Sequence, residues 1–109
     1  MIVDRIYSFL SLATKAGKVL SGEETCERGL KSGKVFLVII SVDASDNTKK
    51  KFSDMCKYRS IDIRYFGEKQ LLGRYIGKDM RSIVAVIDRG FAGRLKELID
   101  SIGIEHGGV

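Results

Sequence analysis

Two short stretches of this chain carry no polar side chain. Val35-Phe36-Leu37-Val38-Ile39-Ile40 and Ile83-Val84-Ala85-Val86-Ile87 are continuous apolar runs, rich in β-branched residues. A strand with one face in water alternates apolar and polar residues, so a run without alternation needs cover on both faces. The two runs therefore predict central strands of a sheet lined by helices on either side, which excludes an all-helical bundle and an open antiparallel sheet.

The segments between them supply the cover. Ile2, Val3, Ile6, Phe9, Leu10 and Ala13 recur at helical spacing, and Gly17 sits where a helix would close. Lys18-Val19-Leu20 is long enough only for a stub of strand. Ser21-Gly22-Glu23-Glu24 reads as a capping box, opening a short helix through Leu30 that ends at Ser32-Gly33. Asp43-Ala44-Ser45 turns the chain, and Ser45 is placed to cap a helix to about Arg59 with Phe52, Met55 and Cys56 inward. Ile61, Ile63 and Tyr65 alternate with Asp62 and Arg64, the pattern of a half-exposed strand. Glu68 to Ile76 reads as a short helix before Gly77. Asp88 is placed to cap a last helix whose buried stripe is Phe91, Leu95, Leu98, Ile99 and Ile102. Gly103 is expected to stop that helix and leave 104–109 as a flexible C-terminal tail. The chain has no proline, so glycine does the punctuating. The expectation is an α/β fold, a three-layer α/β/α sandwich, in a single domain over residues 1–103; 109 residues are too few for a second core.

Catalytic chemistry is hard to place on this sequence. The sole histidine, His106, lies in the expected tail, without a packed shell to fix its geometry. Cys26 and Cys56 fall on inner helix faces and read as buried structural thiols. Two cysteines make no disulfide framework, which with the charged N-terminus points to the cytoplasm. No set of Cys, His and carboxylates has metal-ligand spacing, and no glycine-rich loop matches a nucleotide-binding pattern. The expectation is no enzyme, no cofactor, no metal and no membrane segment.

The charge pattern suggests a partner instead. Lys and Arg number 19 against 14 acids, a net charge of +5, and the surplus lies in residues 1–81. Such a surplus suits a polyanion, or simple solubility. Three segments stand out. The start of the second helix carries Gly22, Glu23, Glu24, Thr25, Arg28 and Lys31; free N–H groups there could meet a phosphate, and carboxylates could accept from base donors. Asp43 opens a second segment that leads to Lys49-Lys50-Lys51. The third runs from Leu72 to Ser82, where Gly73 and Gly77 bracket a turn that delivers Lys78, Asp79, Met80, Arg81 and Ser82 before the second apolar strand. Cations and an exposed methionine on such a loop suit a splayed nucleotide.

In order and spacing these segments resemble the kink-turn-binding ribosomal protein superfamily, which includes the large-subunit seven-Ae and thirty-e proteins, the small-subunit twelve-e protein and the Gadd proteins. The resemblance is to its small bacterial members of the YlxQ type, over roughly residues 3–100. It rests on Leu12-Ala13-x-Lys15-Ala16-Gly17-Lys18, Ser21-Gly22-Glu23-Glu24, Ser32-Gly33-Lys34, the run Val35 to Ile40, Asp43-Ala44-Ser45-x-Asn47-Thr48-Lys49-Lys50, Leu72-Gly73-Arg74-x-x-Gly77 and Val84-Ala85-Val86. It implies a four-stranded mixed sheet and a non-catalytic protein that binds structured RNA at one end of the sandwich. The RNA is a sharply bent helix whose bend is flanked by tandem sheared G·A pairs. The helix after the first strand would enter the widened groove, and the loop before the last strand would pack on an extruded nucleotide. The family signature on that helix reads Gly-x-Asn-Glu-x-x-Lys. Anchored on Ser32-Gly33, it puts Gly22 at the glycine, Glu24 at the asparagine, Thr25 at the glutamate and Arg28 at the lysine. Two of these positions differ in chemistry, which implies altered RNA specificity. Ribosomal RNA and ribosome-associated proteins are the implied partners. The alternative is an adaptor that keeps the fold and binds proteins, as Gadd relatives do. The RNA reading expects a cationic rim built from segment ends.

Overall fold

The computed structural model describes the backbone of residues 1–107 and the side chains of residues 1–102. Five helices and four strands alternate: α1 (Ile2–Lys15), β1 (Val19–Ser21), α2 (Glu23–Lys31), β2 (Leu37–Ile40), α3 (Asp46–Arg59), β3 (Asp62–Tyr65), α4 (Lys69–Tyr75), β4 (Ile83–Val86) and α5 (Arg89–Gly107). The sheet order is β1-β4-β2-β3. β4 is antiparallel to both its neighbours and β2 is parallel to β3, so the sheet is mixed.

The two apolar runs hold the centre, as their lack of alternation requires. Every residue of β2 and β4 is buried. Their side chains divide between two cores. Leu37, Ile39, Val84 and Val86 face α1, α4 and α5 together with Ile6, Leu10, Leu72 and Leu95. Val38, Ile40, Ile83 and Ala85 face α2 and α3 together with Leu30, Phe52 and the two cysteines. Burial pushes the thiol of Cys26 up to about 12 and that of Cys56 to about 11, so both behave as inert packing groups.

Edge strand β3 is half-exposed, as its alternation predicts, but not through Tyr65, which is exposed. Ile61 and Ile63 pack on the α2–α3 core. On the other face Arg64 pairs with Asp100 of α5 at 2.7 Å, and Asp62 pairs with Lys96 of α5. Each partner draws the neighbouring carboxyl below its ordinary range.

Helix ends follow local chemistry in most places. The Ser45 hydroxyl accepts from the Thr48 N–H at 3.2 Å, and the Asp88 carboxylate accepts from the Phe91 N–H at 2.9 Å. Gly17 (φ 73°) and Gly33 (φ 75°) close α1 and α2 in left-handed turns. In each, the following N–H reaches back five residues, Lys18 to the Ala13 carbonyl and Lys34 to the Gly29 carbonyl.

Four expectations need correction. The Ser21 capping box does not form: Ser21 is the last residue of β1, paired with Val84, and Gly22 at φ 90° is the N-cap of α2. Sheet pairing took the residue that local pattern gave to the helix. Phe36 and Val3 are exposed rather than buried; Phe36 lies just ahead of β2, with the Arg89 guanidinium 5.2 Å from its ring centre. Gly103 does not stop α5, which runs on to Gly107, since a glycine inside a helix costs only about 1 kcal/mol. The expected flexible tail and His106 fall on residues whose side chains lie outside the described part. Among the described residues no helix is long and apolar enough to cross a membrane, and no group of three or more His, Cys, Asp or Glu could hold a metal ion.

Candidate nucleic-acid interface

Three helices begin at one end of the sheet. β1 enters α2 at Gly22, β2 enters α3 through Ser41–Ser45, and β3 enters α4 through Phe66–Glu68. β4 runs the other way and starts at the same end, after the loop 77–82. This end is the rim. Its parts come from distant stretches of sequence and are tied by hydrogen bonds. The Gly22 N–H donates to the Ile83 carbonyl at 3.0 Å, and the Ser41 N–H to the Ser82 carbonyl at 2.9 Å. The Arg81 N–H donates to the Lys69 carbonyl at 2.9 Å, and its Nε to the Ser21 hydroxyl at 3.3 Å.

The loop 77–82 is seated on α4 by the absence of a side chain. A Cβ on Gly73 would stand 1.7 Å from the Asp79 carbonyl oxygen, so only glycine lets this backbone approach. α4 is itself held from below. Tyr7 stacks on Tyr75 at 4.7 Å between ring centres, its ring lies 5.0 Å from that of Phe66, and its hydroxyl accepts weakly from the Glu68 N–H at 3.4 Å. The Ser11 hydroxyl donates to the Tyr75 carbonyl at 2.6 Å.

Between the start of α2 and this loop lies an open groove of about 420 Å³, lined by Ser21–Thr25 and Met80–Ile83. It meets a second hollow, formed by Gln70, Arg74, Lys78 and Asp79, across Met80. It meets a third, formed by Glu27, Arg28 and Lys31, across Glu24. Gly22, Glu23, Glu24, Thr25, Arg28, Lys31, Lys78, Asp79, Met80, Arg81 and Ser82 thus share one continuous surface. Met80, 59% exposed, is its apolar high point.

Asp43 stands apart from this surface. Its Oδ1 accepts from the Lys69 N–H at 3.0 Å, which fixes the start of α4. Partial burial pushes its carboxyl up, but hydrogen bonding, led by that of Lys69, outweighs it and holds the group below its usual value. Asp43 is a positioning residue for the rim.

The charges of the rim depart from expectation. Arg28, Lys31, Lys51, Lys69, Arg74, Lys78 and Arg81 stand among Glu23, Glu24, Glu27, Asp43, Glu68 and Asp79, seven cations to six carboxylates. Glu27 is shared between Lys51 at 2.8 Å and Lys31 at 2.9 Å, and these bonds lower its carboxyl to about 2. Lys31 remains 59% exposed in this pair. The Thr48 hydroxyl donates to Glu23 at 3.2 Å. Arg28, Lys69, Arg74, Lys78 and Arg81 have no carboxylate partner among the described residues, and Arg28 touches only the Thr25 hydroxyl, at 3.5 Å. The rim is close to charge balance rather than strongly cationic, and its offer to a ligand is shape plus a mixed set of donors and acceptors.

Sequence reasoning passed over the two supports of this surface, Tyr7 beneath α4 and Lys51 opposite Glu27. Neither carries a local signal: Tyr7 reads as one more apolar helix residue, and Lys51 as part of a solvated run. The Gly73 contact was signalled only by the spacing of Gly73 and Gly77.

Comparison with known proteins bears on the fold and the family. The chain is 40% identical over 94 residues to the RNA-binding protein YlxQ of Bacillus subtilis (strain 168), a match covering 86% of this chain and 94% of that one. A solved structure of a protein with unknown function from Bacillus halodurans superposes with a TM-score of 0.84 at 43% identity, covering 87% of this chain and 96% of that one. The Giardia lamblia 15.5kD RNA binding protein shares the fold at a TM-score of 0.75 and 16% identity, covering 93% of this chain and 87% of that one. The model of the ribosomal protein L7Ae/L30e/S12e/Gadd45 family matches residues 4–96. With most of its length inside that match, the chain belongs to the ribosomal protein L7Ae/L30e/S12e/Gadd45 family.

Proposed function

We propose that this protein binds structured RNA in the bacterial cytoplasm without catalysing a reaction, and that its rim recognises a sharply kinked RNA helix with altered base preference. The observation that carries this reading is the groove between residues 21–25 and 80–83, where a short helix start faces a loop bearing an exposed methionine. A helix start of this size fits a widened groove, and Met80 with Arg81 offers a platform for an unstacked nucleotide. Arg28 has no competing carboxylate among the described residues and can reach a guanine edge or a phosphate. Glu24 and Thr25, where the family pattern has asparagine and glutamate, change which base edges are satisfied. The mechanism is selection of one RNA shape: binding the kinked form shifts the population toward it.

The test uses three RNAs: a helix with a bend flanked by tandem sheared G·A pairs, a plain duplex and a single strand. The kinked RNA should bind most tightly. Arg28→Ala with Arg81→Ala should weaken it by about 10- to 100-fold, as expected for contacts of about 1–3 kcal/mol each. The melting temperature should fall only modestly, because Arg28 is exposed and half-buried Arg81 gives up its hydrogen bond to the Ser21 hydroxyl, worth about 0.5–1.5 kcal/mol. Unchanged affinity in the double variant would show that the rim is not the RNA surface. Failure of all three RNAs to bind, with a protein partner captured through Glu23 and Glu24, would favour the adaptor reading.

A further inference from the structure

The opposite edge of the sheet holds what the rim lacks. There β1, β2 and β3 begin and β4 ends, their positions fixed by the pairs Val19↔Val86, Leu37↔Val86 and Leu37↔Asp62. Each strand brings one cation to this distal edge. Lys18 precedes β1 and accepts the Ile87 N–H on its carbonyl; Lys34 and Arg59 stand three residues before β2 and β3; Arg89 stands three residues after β4. Lys15 and Lys57, in the last turns of α1 and α3, add to them. The carboxylates at this edge are occupied: Asp88 caps α5 and Asp62 holds Lys96. The distal edge thus carries a surplus of five positive charges, equal to the net charge of the whole chain.

Helix capping does not account for this surplus. Basic residues near the ends of α1 and α3 do compensate helix dipoles. Arg89 does the reverse, since it opens α5, where a cation is disfavoured. Lys18 lies outside any helix. Two exposed aromatic rings accompany the cations. Tyr58, 84% exposed, lies under the Arg59 guanidinium at 5.3 Å, and Phe36 lies under that of Arg89 at 5.2 Å. Phe36, Ser60, Ile61 and Arg89 border a hollow of about 310 Å³. Unpaired cations interleaved with aromatic rings are the combination that tracks a phosphodiester backbone while bases stack.

We propose that the distal edge is a second RNA-binding surface, taking a single-stranded or loop segment, so that the protein holds two RNA segments at opposite ends of one sheet. The partner class rests on the RNA reading above; the site itself does not, because it shares no residue with the rim. The probes are a fluorescent oligouridylate and a kinked RNA helix. The variants are Lys18→Ala with Lys34→Ala, two exposed positions that follow helix-closing turns, and the same pair with Arg59→Ala and Arg89→Ala. The fourfold variant should bind oligouridylate at least 10-fold more weakly. Its plot of log affinity against log salt should flatten by about three, near 0.7 for each contact removed. The double variant should show about half that change, which keeps the test valid if the fourfold variant folds poorly. Both variants should still bind kinked RNA at the rim. Energy transfer between a donor-labelled kinked helix and an acceptor-labelled oligouridylate should appear with the native protein and vanish with the distal variants. Oligouridylate affinity and slope unchanged in both variants, or oligouridylate competing with kinked RNA for one site, would overturn the proposal. So would stronger binding, lost in the same variants, to vesicles of phosphatidylglycerol in phosphatidylcholine than to RNA. If Arg28→Ala with Arg81→Ala leaves kinked-RNA binding intact, the rim reading falls alone.

Discussion

The rim and the distal edge are the two ends of one four-stranded sheet, yet they are built on opposite plans. At the rim, strands hand over to helices; Gly22 and Gly77 are open left-handed positions, but two turns are fixed by close packing, Gly73 against the Asp79 carbonyl and Gly67 against the Tyr7 hydroxyl at 2.5 Å from where a Cβ would be. Positive and negative side chains nearly cancel in number there. At the distal edge helices hand over to strands through open left-handed turns. A Cβ on Gly17 or Gly33 would meet nothing within 4 Å, and positive charge goes unmatched. An end with fixed shape and balanced charge can discriminate between ligands but attracts them weakly at a distance. An end with surplus charge and loose turns attracts any polyanion and discriminates little. The two properties that nucleic-acid binding needs, selectivity and attraction, are separated here by the length of the strands.

The largest expected effect that separates the ends is Gly73→Ala. The added methyl cannot coexist with the Asp79 carbonyl, so the loop 77–82 must lift from α4. Overpacking of this kind costs about 1–3 kcal/mol, or about 5–15 °C in melting temperature for a chain of this size. Kinked-RNA affinity should fall at least 10-fold, while oligouridylate binding at the distal edge should hold. Equal loss at both ends would mean that the rim and the distal edge are not independent surfaces.

The pattern of central strands was legible because it follows from one physical rule, that a strand buried on both faces has no polar residue to spare. The order β1-β4-β2-β3 was not, since pairing partners leave no mark on local sequence. Ser21 shows the cost: its spacing from Glu24 fits a helix cap, but pairing with Val84 decides its conformation. Met80 and Arg81 were found as a suggestive loop, yet that they face Glu23 and Thr25 depends on the β1–β4 pairing. Charge was misread for a geometric reason. Each strand–helix unit crosses the molecule, so a count along the chain mixes rim with distal edge. Residues 23–34 show this, with Glu23 and Glu24 at one end of α2 and Lys34 beyond the other.

A smaller effect concerns the tie between α2 and α3. Hydrogen bonds from Lys51 and Lys31 lower the Glu27 carboxyl to about 2, against an ordinary value near 4.3. A lowered folded-state value means that the ionised form favours folding. The contribution is complete above the ordinary value and is lost as the pH falls from about 4 toward 2. Melting temperature followed from pH 6 to pH 2 should therefore drop less in Glu27→Gln than in the native protein. The difference should shrink in high salt, because the group is at the surface. A native-like pH profile in the variant would show that the bridge contributes nothing.

The smallest effect tests the loose turns of the distal edge. Ser60 ends α3 at φ 56°, ψ 41°, the only non-glycine with positive φ among the described residues. The Ile61 N–H reaches back to the Cys56 carbonyl at 2.9 Å, the same closure that glycine makes at Gly17 and Gly33. Left-handed backbone costs a residue with a Cβ about 1–2 kcal/mol. Glycine removes that cost but adds about 0.5–1 kcal/mol of unfolded-chain entropy. Ser60→Gly should therefore stabilise by about 0.5–1 kcal/mol and raise the melting temperature by about 3–5 °C. The Ser60 side chain is exposed and makes no hydrogen bond among the described residues, so nothing else is lost. Affinity for kinked RNA at the rim should stay unchanged, because the substitution lies at the other end of the sheet. A destabilised variant would mean that the serine hydroxyl supports the turn, and that this closure differs from its two glycine counterparts.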